Sequence, residues 1–275
     1  MSRTTPTSRR CSRSAPSVHR PAIAESTQQT LKLYRFPLHC KQRSKNMREC
    51  EENIFARWRN SLPNELQGQF VTDGVVNEAL YLESNPKILL LLKEVNDPDG
   101  GEWCLREFLR DGGRWQTFGN ATRWLRAIRN LPNEMPWDQL NNVADEQRIA
   151  ELQSIAAMNL KKTPGGHAVD RVNLRNSVTR DQKFIHEQFN LYHADLVICC
   201  GSDVAKAFSY IFGESGGLPW NITTRGIEYY EYEQNKYAIS FSHPSVRASS
   251  NLVHYGLIDA VREICHNAEW MRRAH

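Results

Sequence analysis

Long apolar runs are missing from this chain. No stretch of its 275 residues approaches the roughly 20 apolar residues that a helical membrane crossing needs, so a soluble protein is expected. Cysteine pairs are missing too. The seven cysteines (Cys11, Cys40, Cys50, Cys104, Cys199, Cys200 and Cys265) show neither C-x-x-C spacing nor a disulfide framework. Buried free thiols in a reducing, intracellular compartment are the expectation, and thiolate-held zinc or iron–sulfur centres are not. No internal repeat is visible, which removes solenoid and propeller architectures. Acids are scarce at the start: residues 1–50 hold 11 Lys/Arg against Glu25 and Glu49, leaving 24 basic against 29 acidic residues in the other 225. The net charge of +4 therefore belongs to the leader, while the rest of the chain is net negative.

Residues 1–45 are rich in Ser, Thr, Arg and Pro without apolar periodicity, and read as a basic, disordered leader without a secretory hydrophobic core. Organelle targeting and an electrostatic tether for nucleic acid are both open readings of it. A single domain is expected over 46–275. Helical spacing appears at 51–61 (Ile54, Phe55, Trp58), 117–130 (Phe118, Ala121, Trp124, Leu125, Ile128), 181–192, 203–212 and 252–271. A further short helix is expected at 103–109, and 133–149 reads as polar surface. Short apolar strands are expected at 87–92, 154–158 and 195–200, and residues 227–242 read as two strands turning near Gln234-Asn235. Strands alternating with helices predict a three-layer α/β/α domain around a mostly parallel sheet of about four strands.

Four strands run directly into polar sequence. These ends are Lys93-Glu94-Val95-Asn96, Asn159-Leu160-Lys161-Lys162, Gly201-Ser202 and Ser242-His243-Pro244-Ser245. The carboxyl edge of an open α/β sheet is where ligands bind. Taken singly each motif has a plainer reading: His before Pro as a turn residue, Asn159 closing a strand on its own backbone, Phe118 as helix core, Lys161-Lys162 as a solvated pair.

In order and spacing, however, the chain resembles the uracil-DNA glycosylase superfamily over most of residues 86–265. The carrying segments are Leu91-Leu92-Lys93-Glu94-Val95-Asn96, Thr117-Phe118-Gly119-Asn120-Ala121 with Trp124-Leu125, Ala157-Met158-Asn159-Leu160-Lys161-Lys162-Thr163-Pro164, the helix and strand of 184–201, and Ser242-His243-Pro244-Ser245. The resemblance implies a glycosylase-like fold and a cofactor-free, metal-independent hydrolase, monomeric and intracellular, that releases uracil or another deaminated base flipped out of DNA. It implies that Phe118 stacks on the base and Asn159 reads its edge. His243 would donate to the base oxygen that becomes anionic, and either Glu94 or Asn96 would hold the attacking water. Ser245, Arg247 and Lys161 would contact DNA, with Val246 beside Arg247 as a wedge. The chain departs from the family pattern at Lys93, where Gly is usual, at Pro98, which falls late, and at Lys162, where the iron–sulfur branch has a Cys ligand; no cluster is expected. The rival expectations are a catalytically silent nucleic-acid or nucleotide-binding module of this fold, and a hydrolase of a free modified nucleoside.

Overall fold

The computed structural model describes residues 46–97, 103–166, 170–213, 217–266 and 268–272. The leader, Cys11 and Cys40 lie outside the described residues, as does Pro98. Asn46 opens the described chain as the N-cap of the first helix, α1 (Met47–Ser61), its side chain accepting from the Glu49 N–H; the short helices α2 (Asn64–Gln67) and α3 (Glu78–Glu83) lie in sequence between it and the central strands.

The core is a seven-stranded sheet in which four parallel strands lie side by side: β5 (Ala156–Asn159), β3 (Ile88–Leu92), β6 (Leu196–Cys200) and β9 (Lys236–Phe241). These four, and the antiparallel strand at 228–233 beside them, are legible in the sequence. The sheet is larger than the expected four because antiparallel strands extend both flanks. On one side is β2 (Gly74–Val75); on the other are β8 (Glu228–Glu233) and β7 (Asn221–Ile222). Two-residue strands carry no periodicity to read. A second sheet joins β1 (Val71–Thr72) to β4 (Trp103–Cys104).

The two innermost strands, β3 and β6, are apolar throughout because both faces are covered. Ile88, Leu90 and Leu92 of β3 pack under α4 (Leu105–Arg110), α5 (Trp115–Asn130) and α10 (Ser250–Cys265). Leu89 and Leu91 face α1, α8 (Arg171–Tyr192) and α9 (Ser202–Phe212). Cys199 and Cys200 divide in the same way, one to each core, as adjacent strand positions must. Cys50 is buried; Cys199, Cys200 and Cys265 are buried free thiols, and burial raises the pKa of all three.

Three helical readings need correction. The 181–192 helix begins ten residues earlier, at Arg171. Its first half offers only Leu174 and Val178 to the core, too sparse a stripe to stand out, yet Asp170 caps it by accepting from Asn173 N at 2.9 Å. Replacing Asp170 by Ala is expected to cost about 1 kcal/mol. An unchanged urea midpoint would show that α8 does not depend on this cap. Residues 133–149 are not featureless surface: α6 (Trp137–Asn141) buries Leu140, and α7 (Asp145–Gln153) buries Arg148 within this span and Leu152 just past it. The expected 252–271 helix stops at Cys265, with α11 (Glu269–Arg272) following. Among the described residues no helix is long and apolar enough to cross a membrane.

Chain direction places the candidate site. From β3 the chain crosses to β5 on the α5 face, whereas from β6 it leaves toward β9 through α9 on the opposite face. Connections therefore diverge between β3 and β6. A crevice at the carboxyl ends of such strands is the usual ligand position in an open α/β sheet.

Candidate active site

Register brings the polar strand ends into one row. Leu92 pairs with Asn159, Leu91 with Cys199, and Cys200 with Phe241. The ladder continues past β3 and β5, since Lys161 N donates to Lys93 O (2.9 Å), Gly165 N to Val95 O (2.9 Å) and Asp97 N to Gly165 O (3.1 Å). The segments leaving these two strands are thus zipped together along the rim of the site.

Asn159 is 1% exposed. Its partner Leu92 belongs to the α5 core, so the Asn159 side chain leaves the sheet on that same face. Its amide nitrogen Nδ2 has no hydrogen-bond partner among the described residues. Leaving such a buried donor unpaired costs about 1–3 kcal/mol. Phe118 lies on this face too, 4% exposed, its ring edge-on to Phe108 with centroids 6.1 Å apart.

His243 follows β9 in a tight turn closed by Val246 N donating to His243 O at 2.9 Å. Ser245 N donates to His243 Nδ1 at 3.2 Å, and Ser245 Oγ lies 2.8 Å from the same nitrogen. A backbone N–H has only a proton to give, so Nδ1 must accept and the ring proton stands on Nε2. Burial, aided by the Lys93 charge, lowers the His243 pKa below its ordinary 6.5. The turn therefore presents a neutral imidazole with an Nε2–H donor. It is held to α5 by Asn120, whose Nδ2 donates to Pro244 O at 2.8 Å while its Oδ1 accepts from Arg123 at 2.9 Å. Asn120 was not singled out in the sequence. A helix-interior Asn, a poor helix former, was the available signal.

The two water-handling candidates are placed differently. Glu94 has a side chain 8% exposed with both oxygens engaged: Lys93 Nζ lies 2.5 Å from Oε1 and Lys161 Nζ 2.5 Å from Oε2. It presses against Gly165 so closely that a Cβ there would sit 2.2 Å from its carboxyl carbon. Glu94 is thus a charge-paired group between two ammoniums, not a free base. Asn96 is exposed, and its backbone bridges to Gly165.

Among the expected DNA contacts, Ser245, Val246 and Arg247 are exposed at the His243 turn. Lys161 is only 6% exposed, and its ammonium serves Glu94 and Pro164 O (2.9 Å), so the structure gives it a local bracing role. Nor is Lys162 solvated: it is 1% exposed, in a buried pair with Asp73. Among the described residues no group of three or more His, Cys, Asp or Glu side chains is arranged to hold a metal ion. The edge thus gathers a neutral imidazole donor, an unpaired carboxamide donor and two lysines sharing one carboxylate, a combination that favours ligands rich in oxygen acceptors. A scan against protein-family models and a search of the curated proteins found no match to this chain.

Proposed function

We propose that the chain is a DNA base-excision glycosylase that hydrolyses the N-glycosidic bond of uracil or another deaminated base flipped out of DNA. The observation that carries this reading is the Asn159 carboxamide, buried on the α5 face with a free Nδ2 donor on the sheet row that also leads to the His243 turn. A flipped pyrimidine offers Nδ2 the acceptor that it lacks, a carbonyl oxygen, and presents an imide N–H to Oδ1. Phe118, on the same face, supplies a ring for the base.

As the C1′–N bond breaks, its electron pair goes to the base and positive charge develops on the sugar. His243 Nε2–H donates to the base oxygen that gathers the negative charge, and the Lys93 ammonium adds its field without giving up a proton. Water adds to C1′ and loses its proton to bulk solvent or to the departing base. Asn96, the exposed polar group on the β3 rim, is better placed to hold that water than Glu94, whose oxygens already serve two ammoniums. Ser245 and Arg247 meet the flanking phosphates, with Val246 as the wedge.

The engagement of Glu94 also favours a second reading, a nucleic-acid-binding module of the same architecture without hydrolysis. Labelled oligonucleotides carrying uracil, hypoxanthine or xanthine separate the two. Base release by the wild type, reduced at least 100-fold by Asn159→Ala, supports the glycosylase. Retained oligonucleotide binding without release supports the module, and release from a free nucleoside alone moves the substrate to small molecules.

A further inference from the structure

Behind Asn159 lies a buried polar cluster that the proposed chemistry does not use. Asp73, between β1 and β2, has no solvent exposure, and Lys162 is 1% exposed. Lys162 Nζ donates to Asp73 Oδ1 at 2.8 Å, to Asp73 Oδ2 at 2.6 Å and to Asn159 O at 2.8 Å. Asp73 Oδ2 also accepts from Asn159 N at 2.7 Å. The peptide groups on both sides of the Asn159 Cα are therefore held by one ion pair. The pair is itself braced: Gln188 Nε2 donates to Asp73 Oδ1 at 2.7 Å, and the Lys162 ammonium lies 4.9 Å from the Trp58 ring centroid and 5.6 Å from that of Phe55.

An ion pair in this position is a poor stabilising device. Desolvating a carboxylate and an ammonium costs several kcal/mol per ion, and apolar residues of similar volume commonly do as well or better. What the pair supplies is direction. A carboxylate and an ammonium with nearly every valence spoken for leave the Asn159 backbone one orientation, and with it the line along which the carboxamide leaves the sheet.

We propose that Asp73 and Lys162 are positioning residues for Asn159, locking its peptide so that the carboxamide meets the ligand in a single pose. The inference rests on Asn159 as the ligand-reading side chain. Lys162 thereby has a role of its own at the position where the iron–sulfur branch of the superfamily that the chain resembles has a Cys ligand.

The test compares the neutral double variant Asp73→Asn/Lys162→Gln with the wild type, and uses Gln188→Leu as a control that loosens Asp73 without touching Asn159. The Asn159 side-chain amide is assigned in a 15N–1H spectrum by its loss in Asn159→Ala. A folded double variant is expected to shift or broaden that signal, and to lower kcat for base release at least tenfold while KM for the oligonucleotide stays within about twofold, because small displacements of an oriented group act on the chemical step. Gln188→Leu, which loosens the brace but leaves Asp73 and Lys162 on the Asn159 peptide, should move the signal less than the double variant does. If the double variant does not fold, Asp73→Glu, which keeps both charges and moves the carboxylate by one methylene, is read in the same two ways. An Asn159 signal and kcat both unchanged in a folded variant overturn the proposal. A wild type that releases no base sinks the glycosylase reading instead, and the amide signal then decides the positioning role by itself.

Discussion

Replacing Arg106 by Leu is expected to destabilise the folded protein by about 3–5 kcal/mol at pH 8, the cost of breaking one side of a buried ion pair. Arg106 and Glu51 are 3% and 1% exposed at their side chains, with nitrogen and oxygen 2.5 Å apart. The penalty should shrink at pH 5. Burial pushes Glu51 up from an ordinary 4.5 to about 7, against the opposing pull of Arg106. A carboxyl raised in this way contributes stability that is complete below pH 4.5 and is lost as pH rises through 7. Removing Arg106 raises the group further, so the variant loses more than the wild type over the same interval. At pH 5 both proteins hold Glu51 largely protonated and differ less. Urea unfolding at the two pH values measures the difference; equal penalties would mean that Glu51 is not the group whose charge Arg106 supports.

Replacing His243 by Ala is expected to lower kcat for base release by roughly 100- to 1000-fold, the usual loss for one preorganised donor to a developing anion. The pH profile identifies the form that works. Protonating Nδ1 would cost the imidazole its bond from Ser245 N, so a neutral ring is the native one, and activity should fall as pH drops through the lowered His243 pKa. Lys93→Met removes the cation that contributes to this lowering. Its acid limb should move to higher pH together with the His243 ring titration followed by NMR. A limb and a titration that both stay put would remove Lys93 from the electrostatics of the turn.

Much of the architecture was readable because it rests on local pattern. The strands ending at Leu92, Asn159, Cys200 and Phe241 are short apolar runs, and the polar residues that follow them meet at one edge because parallel strands share a direction. The environment of those residues was not readable. Lys161-Lys162 has the look of a solvated pair, yet the acid that buries Lys162 lies 89 positions away, on a link between two strands of two residues each. Glu51 and Arg106 are 55 positions apart. Partners chosen across the fold leave no trace in local spacing. Glu94 misled for a related reason: an acid at a strand end suggests a base, and only the approach of Lys161 from the neighbouring strand shows its charge already taken.

The brevity of the outermost strands also bears on edge-to-edge pairing between copies of the chain. A long exposed edge offers unpaired N–H and C=O groups to any chain that can add a strand, which is the opening step of fibril growth. Among the described residues the sheet ends in a two-residue strand on each side. At β7, Asn221 and Ile222 are both exposed, but two residues give an incoming strand little to grip. At β2 the Val75 N–H is already taken by a side chain, the Glu51 carboxylate at 2.8 Å. The carboxylate that anchors Arg106 therefore also acts as a stopper on the sheet, and losing it would uncover a donor suited to pairing with a second molecule.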